Sequence, residues 1–234
     1  MRARLLVVAM FPSLSFSFGA RAQFPAPGVT PPSCDSKSFI RKGTTFGLPS
    51  ENATPTQFRK ALQMEGVGLD RSGKIVIQGG GTIPSCDAGS SKSFAGTSGN
   101  CQIPYFSVGA DTKIYPYGTI LEIQSLAGKK VKVDGREFTH PGYVIVDGDG
   151  TAPGPFPGKK IEGLGRFDFF VGGNYTEEKV LDLRNFDKCR VGYRAIGPAD
   201  EDYKKALKTI EDTSGAKIKI QRQQRAENAS ETAT

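Results

Sequence analysis

The sequence predicts a mainly β fold. Past residue 74, short apolar or alternating runs recur between glycines and prolines, a spacing typical of small β-barrels and sandwiches. Only two segments have helical periodicity, and both are short. The predicted strands are Ile75 to Ile77, Tyr105 to Val108, Ile120 to Ile123, Val131 to Val133, Tyr143 to Val146 and Phe167 to Val171.

The chain opens with a pattern typical of a secretory signal. Two arginines precede an apolar run that Pro12 interrupts, and Ala20-Arg21-Ala22 is a small-x-small cleavage site. The run is far shorter than the roughly 20 residues of a membrane-spanning helix. We therefore predict a signal peptide over 1–22 and a secreted, periplasmic or extracellular protein that begins at Gln23. No later segment is apolar enough to span a membrane.

Two segments precede the main domain. Residues 23–50 are rich in Pro, Gly and Ser and are predicted to form an extended arm. Residues 51–80 contain a helical pattern from Thr56 to Glu65, followed by Gly66 as a stop signal and then by the first strand. We expect this helix and strand to pack against the main domain.

The main domain is predicted over 81–198. It contains a hairpin, because Asp134-Gly135 lies between alternating residues and Asp-Gly favours a tight turn. A helix is predicted from Asp200 to about Asp212, within the segment 199–213, since apolar residues recur there at helical spacing. Residues 214–234 are polar and are predicted to form a disordered tail.

The four cysteines are Cys34, Cys86, Cys101 and Cys189, an even number that predicts two disulfides in an exported chain. Three pairings are compatible with the sequence. We favour Cys86 with Cys101, which closes a short loop of Ser, Gly and Lys, and this leaves Cys34 to pair with Cys189.

The formal net charge of the chain is +7, and removal of the three signal-peptide arginines leaves about +4. A moderate positive charge suits an anionic partner, such as a wall polymer or a membrane surface, better than duplex DNA, because no Lys/Arg run is interleaved with stacking aromatics. The alternative is that the excess Lys and Arg only make the surface soluble. We expect a monomer whose partner is peptidoglycan or another anionic wall polysaccharide and not nucleic acid.

Several common sites are excluded by the residues themselves. The single histidine, His140, precedes Pro141-Gly142 in a predicted loop, so a Ser-His-Asp or Cys-His site is not expected. No cysteine pair has zinc-ligand spacing. The stretch from Asp147 lacks the glycine and glutamate of a calcium loop, and Gly158-Lys159-Lys160 is not a phosphate loop. We predict no metal and no cofactor.

Asp168 is the strongest candidate for chemistry. It lies within the run Arg166-Phe167-Asp168-Phe169-Phe170, where alternation puts Asp168 and Phe170 on one face. Apolar surroundings raise the pKa of a carboxyl group, as a general acid requires. The alternative is a strand aspartate at a wet edge, or one paired with Arg166 or Lys160.

The order of landmarks around Asp168 resembles the three-aspartate domain of bacterial wall-lytic proteins, which is similar to the core of membrane-bound lytic transglycosylase A. The landmarks cover residues 101–197 and include Gly109-Ala110-Asp111, Gly118-Thr119, Val144 to Asp147, Lys160 to Gly163, and Arg166 to Phe170. The resemblance implies a double-psi β-barrel. Together with the sequence patterns above, the predicted fold is a six-stranded double-psi β-barrel with short flanking helices and disordered tails.

The resemblance also implies roles for individual residues. Asp168 matches the catalytic acid/base, Asp147 a second aspartate that orients substrate or stabilises charge, and Asp111 a supporting residue. Asp149 competes for the role of Asp147, because an insertion from Thr151 to Gly158 splits the family's glycine-rich motif. Substrate-binding residues are expected at Thr119, Lys160, Gly163 and Tyr117. The chain has no Trp, which leaves tyrosines such as Tyr105, Tyr117 and Tyr143 to stack on sugars.

The implied activity is cleavage of the β-1,4 bond between N-acetylmuramic acid and N-acetylglucosamine, as in a lytic transglycosylase. The main alternative is a non-catalytic, expansin-like double-psi barrel that binds wall polysaccharide. A third is a domain that scaffolds a secreted assembly, in which Asp168 is dispensable.

Overall fold

β-Strands dominate the protein, as predicted. The structure is a computed structural model. It describes residues 37–50, 54–83, 86, 93–96, 99–150, 162–172 and 190–218. All of them belong to one compact unit, Ser33–Thr234. Neither of the α-helices in this described part has the length and apolarity that a membrane crossing requires.

The described part of the chain consists mainly of short strands, with one α-helix after the first strand and another after the last. In chain order, the strands are β1 (Lys42–Phe46), β2 (Val67–Leu69), β3 (Ile75–Ile77), β4 (Thr82–Ile83), β5 (Phe94–Ala95), β6 (Cys101–Gln102), β7 (Ser107–Ala110), β8 (Ile120–Glu122), β9 (Lys130–Val133), β10 (Arg136–Thr139), β11 (Tyr143–Asp149), β12 (Arg166–Phe170) and β13 (Arg194–Ile196). The helices are α1 (Pro55–Glu65) and α2 (Tyr203–Ser214).

Six strands form the main sheet, in the order β1, β12, β7, β11, β8, β13. The pairs β1/β12 and β7/β11 are parallel, and the others are antiparallel. Among the described residues, β1 and β13 are the edge strands of this order and do not pair with each other. The residues just before them are joined by an antiparallel bridge between Phe39 and Gly192. The structure is thus mainly β with a mixed six-stranded sheet.

One face of the main sheet carries the largest hydrophobic core. Alternate residues of neighbouring strands point into it, such as Val108 on β7, Val146 on β11, and Phe167 and Phe169 on β12, each at most 2% exposed. Burial of such side chains is the main stabilising term of the fold.

The opposite face is covered by two separate apolar clusters. At one end, α2 packs Tyr203, Ala206 and Ile210 over the β8 and β11 strands. At the other end, Phe170 of β12 packs with Leu48, Phe94 and Ile75, the last of which belongs to the small β2-β3-β4 sheet. Asp168 lies on this face of the sheet, one alternate position before Phe170.

The predicted N-terminal arm is wrong in its second half. Residues 42–46 form strand β1, which pairs with β12 along its whole length. Ile40 and Leu48, on either side of β1, are fully buried. The prediction failed because Lys42 to Phe46 is a brief run, and only its partner strand supplies the hydrogen bonds that make it a strand.

Both predicted helices are present with small changes in their bounds. Thr54 caps α1 in a capping box with Gln57, and Gly66 ends it in a left-handed conformation, as its stop signal predicted. The α2 helix starts at Tyr203, whose phenol donates a hydrogen bond to the Gly118 carbonyl. The helix packs the apolar residues whose helical spacing predicted it against the sheet.

The predicted tail starts too early. Ala216 is 2% exposed and packs with Ile218 against the α2 cluster. Arg136 donates hydrogen bonds to the carbonyls of Thr213 and Ser214 at the C-terminal end of α2. Residues 214–218 are therefore part of the folded unit, because these side-chain contacts hold them there.

Two further predictions concern the hairpin and the disulfides. β9 and β10 pair around Asp134 and Gly135, both with positive φ, which confirms the tight turn. Cys86 and Cys101 form the preferred disulfide. The second predicted pair, Cys34 with Cys189, lies outside the described residues, as does the insertion from Thr151 to Gly158.

Candidate active site

Asp168 lies in the middle of β12, between β1 and β7. The register places it opposite Thr44 on β1 and opposite Gly109 on β7. The Thr44 hydroxyl donates a hydrogen bond of 2.7 Å to Asp168 Oδ1. Asp168 is half-buried on the sheet face that also carries Phe170. A neighbouring strand therefore holds the candidate acid in one orientation.

The strand next to Asp168 carries a buried glycine, Gly109, which lies opposite a second buried glycine, Gly148. A Cβ atom added to Gly109 would lie 3.7 Å from Asp168 Cβ and 3.8 Å from Gly150 Cα, which are ordinary contact distances. Gly109 has no positive φ either, so neither packing among these atoms nor backbone conformation requires a glycine there. By contrast, a Cβ atom on Gly148 would come within 3.1 Å of Gly109 Cα. Glycine within a strand is typical of places where a ligand or another backbone approaches closely.

Asp147 precedes Gly148, the β11 residue opposite Gly109, but its side chain is buried inside the protein. The β7/β11 register shifts between Val146 and Gly148, so Asp147 occupies a bulge. Its Oδ2 accepts a 2.5 Å hydrogen bond from the Ser107 hydroxyl, whose oxygen accepts from the Ile103 amide at 2.6 Å. Asp147 Oδ1 has no hydrogen-bond partner in the described part of the chain.

Burial governs the protonation of Asp147. The side chain is 2% exposed, and desolvation raises its pKa well above the usual range, although the Ser107 hydrogen bond lowers it. The sequence predicted that Asp147 acts directly on substrate. The structure instead places its carboxyl beneath the surface, where it fixes the bulge that sets Gly148 opposite Gly109.

Asp111 joins two loops near the end of β7. Its carboxylate accepts hydrogen bonds from the amide of Lys113 at 3.1 Å and from the amide of Gly163 at 3.0 Å. Gly163, predicted to bind substrate, thus uses its amide on Asp111. These contacts are those of a supporting residue, and the catalytic importance of Asp111 stays a prediction.

Two of the other predicted binding residues, Thr119 and Tyr117, lie on the loop before β8, and the supporting residue Asp149 lies on β11. Thr119 is 5% exposed, and its hydroxyl donates to the Pro116 carbonyl at 2.7 Å. Tyr117 is half-buried on the same loop, which precedes β8. Asp149 lies opposite Ala110 at the end of β11. Lys160 is outside the described residues.

Of the three tyrosines expected to stack on sugars, Tyr105 is excluded. It is 2% exposed within the main core and has a φ of 67°. Its side chain therefore stabilises the fold and does not face a substrate. Tyr143 and Tyr117 are both half-buried.

His140 is a structural residue. It is fully buried and stacks on Phe106 with ring centroids 5.2 Å apart. Its Nδ1 accepts from the Gly142 amide at 3.0 Å, so Nε2 carries the proton and donates to the Tyr105 carbonyl at 2.9 Å. Burial lowers the pKa of His140 from 6.5 to about 4. Both ring nitrogens are thus hydrogen-bonded to backbone groups of the protein.

Sequence reasoning did not assign a role in this site to Thr44, Ser107 or Gly109. The β-branched pair Thr44-Thr45 before Phe46 is a weak strand signal that was available. In the sequence, Gly109 was only one of the landmarks of the resemblance, and nothing around Ser107 indicated a role. Both residues acquire their roles from contacts with the neighbouring strands.

Within the described part, no three His, Cys, Asp or Glu side chains group as metal ligands. No protein-family model, curated protein or solved structure matches the chain significantly.

Proposed function

We propose that this protein is a secreted lytic transglycosylase that cleaves the β-1,4 bond between N-acetylmuramic acid and N-acetylglucosamine in peptidoglycan, and that its main sheet is a double-psi β-barrel. The observation that carries the proposal is the setting of Asp168. Asp168 is half-buried, accepts a hydrogen bond from Thr44, and lies opposite a glycine, Gly109, that places no side chain beside it.

In the proposed reaction, Asp168 donates its proton to the glycosidic oxygen as the bond from that oxygen to the muramic C1 breaks. The carboxylate then accepts the proton of the muramic C6 hydroxyl, whose oxygen bonds to C1 and closes a 1,6-anhydro ring. The acid is regenerated, and no water is consumed. One carboxyl group serves both steps, so the carboxylate pair of ordinary glycosidases is not needed.

The buried state of Asp147 supports this assignment. A glycosidase of the common type needs two carboxyl groups that reach the substrate. Asp147 is 2% exposed and accepts from Ser107, while Asp111 accepts from two backbone amides. Of the three aspartates, Asp168 is the one whose position suits proton transfer to a substrate.

The test is incubation of the mature protein with purified peptidoglycan, followed by mass spectrometry of the soluble fragments. Anhydro-muropeptides, one water lighter than hydrolysis products, are expected. Hydrolysis products would point to a different glycosidase mechanism. Binding without soluble products would favour the wall-binding, expansin-like alternative.

A further inference from the structure

Arg166 is a second polar residue on the face that carries Asp168. Phe167 and Phe169 point into the main core, so Arg166, Asp168 and Phe170 share the other face of β12. Two residues along a strand span roughly 7 Å. The long arginine side chain therefore extends from the same surface as the candidate acid.

The guanidinium group of Arg166 has spare hydrogen-bonding capacity. It carries five N–H donors. Among the described residues, its contact is a 3.3 Å hydrogen bond to the backbone carbonyl of Glu162, and no carboxylate lies within ion-pair distance. Arg166 thus does not pair with Asp168, which was one alternative predicted for that aspartate.

Arg is the side chain best suited to bidentate recognition of a carboxylate, because its planar guanidinium group presents paired donors.

We infer that Arg166 binds a carboxylate carried by the substrate, and so selects a carboxylated polysaccharide over a neutral one. This inference rests on the proposed function, because it concerns the substrate held beside Asp168. In an amino-sugar polymer that carries lactyl ethers or peptides, such carboxylates are attached close to the scissile bonds. Arg166 would then place the bond to be cleaved relative to Asp168.

The inference can be tested with a soluble muropeptide and the same muropeptide with its carboxyl groups amidated. Binding is measured by calorimetry in an Asp168→Asn background, which prevents turnover. Arg166→Gln should weaken binding of the carboxylated fragment by roughly 10- to 100-fold, the usual range for a hydrogen bond to a charged group. It should leave the affinity for the amidated fragment within about twofold, and Arg166→Lys should restore part of the loss.

Arg59→Gln, on the exposed surface of α1, is the matched control and should change neither affinity. If Arg166→Gln does not fold, as judged by its thermal unfolding, the comparison of the two fragments with Arg166 intact still decides. Equal affinity for both fragments, or an equal loss of both in Arg166→Gln, overturns the inference.

The two proposals can fail separately. Arg166-dependent binding of the carboxylated fragment without anhydro products from the otherwise unchanged protein refutes the transglycosylase and keeps the carboxylate site. Anhydro products together with binding that does not depend on Arg166 support the transglycosylase and refute the carboxylate site. A protein that neither binds nor cleaves the carboxylated fragment refutes both.

Discussion

The Thr44 hydroxyl donates a 2.7 Å hydrogen bond to the carboxyl group of Asp168 across 124 positions of sequence. Parallel pairing of β1 with β12 brings the two residues together. A segment with no evident chemistry in the sequence therefore orients the candidate catalytic group, and the Thr44→Ser variant, which keeps a hydroxyl, separates this role from simple packing.

We predict that Asp168→Asn abolishes cleavage without unfolding the protein. Asparagine keeps an oxygen that accepts from Thr44, but it cannot deliver or accept the proton. General acid–base catalysis by one group is worth about 10²–10⁴ in rate, and the upper part of that range is expected because one group serves both steps. Rates of anhydro-muropeptide release and thermal unfolding measure the two effects. An active Asp168→Asn enzyme would refute the assignment.

Gly109→Ala is expected to fold normally and to lose activity. The added methyl group would make contacts of 3.7 Å or longer in the free protein, and alanine restricts the unfolded chain, so stability should stay equal or rise by up to about 1 kcal/mol. The methyl group would lie against the Asp168 side chain, 3.7 Å from its Cβ atom, and a loss of roughly tenfold or more in kcat/KM should follow. Gly197→Ala, four strands away from β12 in the sheet order, is the control. Full activity in Gly109→Ala would mean that substrate does not approach this glycine.

Asp147→Asn should stabilise the protein at neutral pH. Because burial raises the pKa of Asp147, the folded state binds more protons than the unfolded state above pH 3.8, and the carboxyl group costs stability as pH rises. Asparagine removes this cost and still accepts from Ser107. Urea unfolding should show an advantage at pH 7 that disappears below pH 3.8. Ser107→Ala, which removes the hydroxyl donor, should destabilise the protein at both pH values.

Titration of His140 should act with the opposite sign. Its pKa is lowered from 6.5 to about 4 in the folded state, so the unfolded state binds the extra proton between these values and stability falls as pH falls through that window. The full effect is about 3 kcal/mol. Urea unfolding of the Asp147→Asn variant isolates it from the opposing carboxyl group. The single histidine also permits a direct check by NMR, in which a ring titrating near 6.5 in the folded protein would contradict the prediction.

Truncation should distinguish the packed residues 214–218 from the polar residues 219–234. Deletion of 219–234 is expected to leave the melting temperature unchanged, since that segment is polar. Deletion of 214–234 removes the buried Ala216 and the carbonyl of Ser214 to which Arg136 donates, and it should lower the melting temperature by roughly 5 °C. Equal melting temperatures for the two truncations would show that residues 214–218 contribute nothing to stability.

Local patterns were sufficient for the elements whose signals lie within a few residues. The two helices, the Asp134-Gly135 turn, most of the strands and the Cys86–Cys101 disulfide follow from capping residues, alternation and loop composition. The face of β12 that carries Asp168 was also predictable, because alternation along a strand is a property of the backbone.

The sequence by itself determined the β-rich class, the two helices and the candidacy of Asp168. Only the tertiary structure decided that β1 supplies Thr44, that Asp147 is buried on Ser107, and that Gly109 borders the acid. Strand order and register bring together residues far apart in the chain, and a carboxyl group's exposure depends on what those strands place around it. No local pattern of residues contains that information.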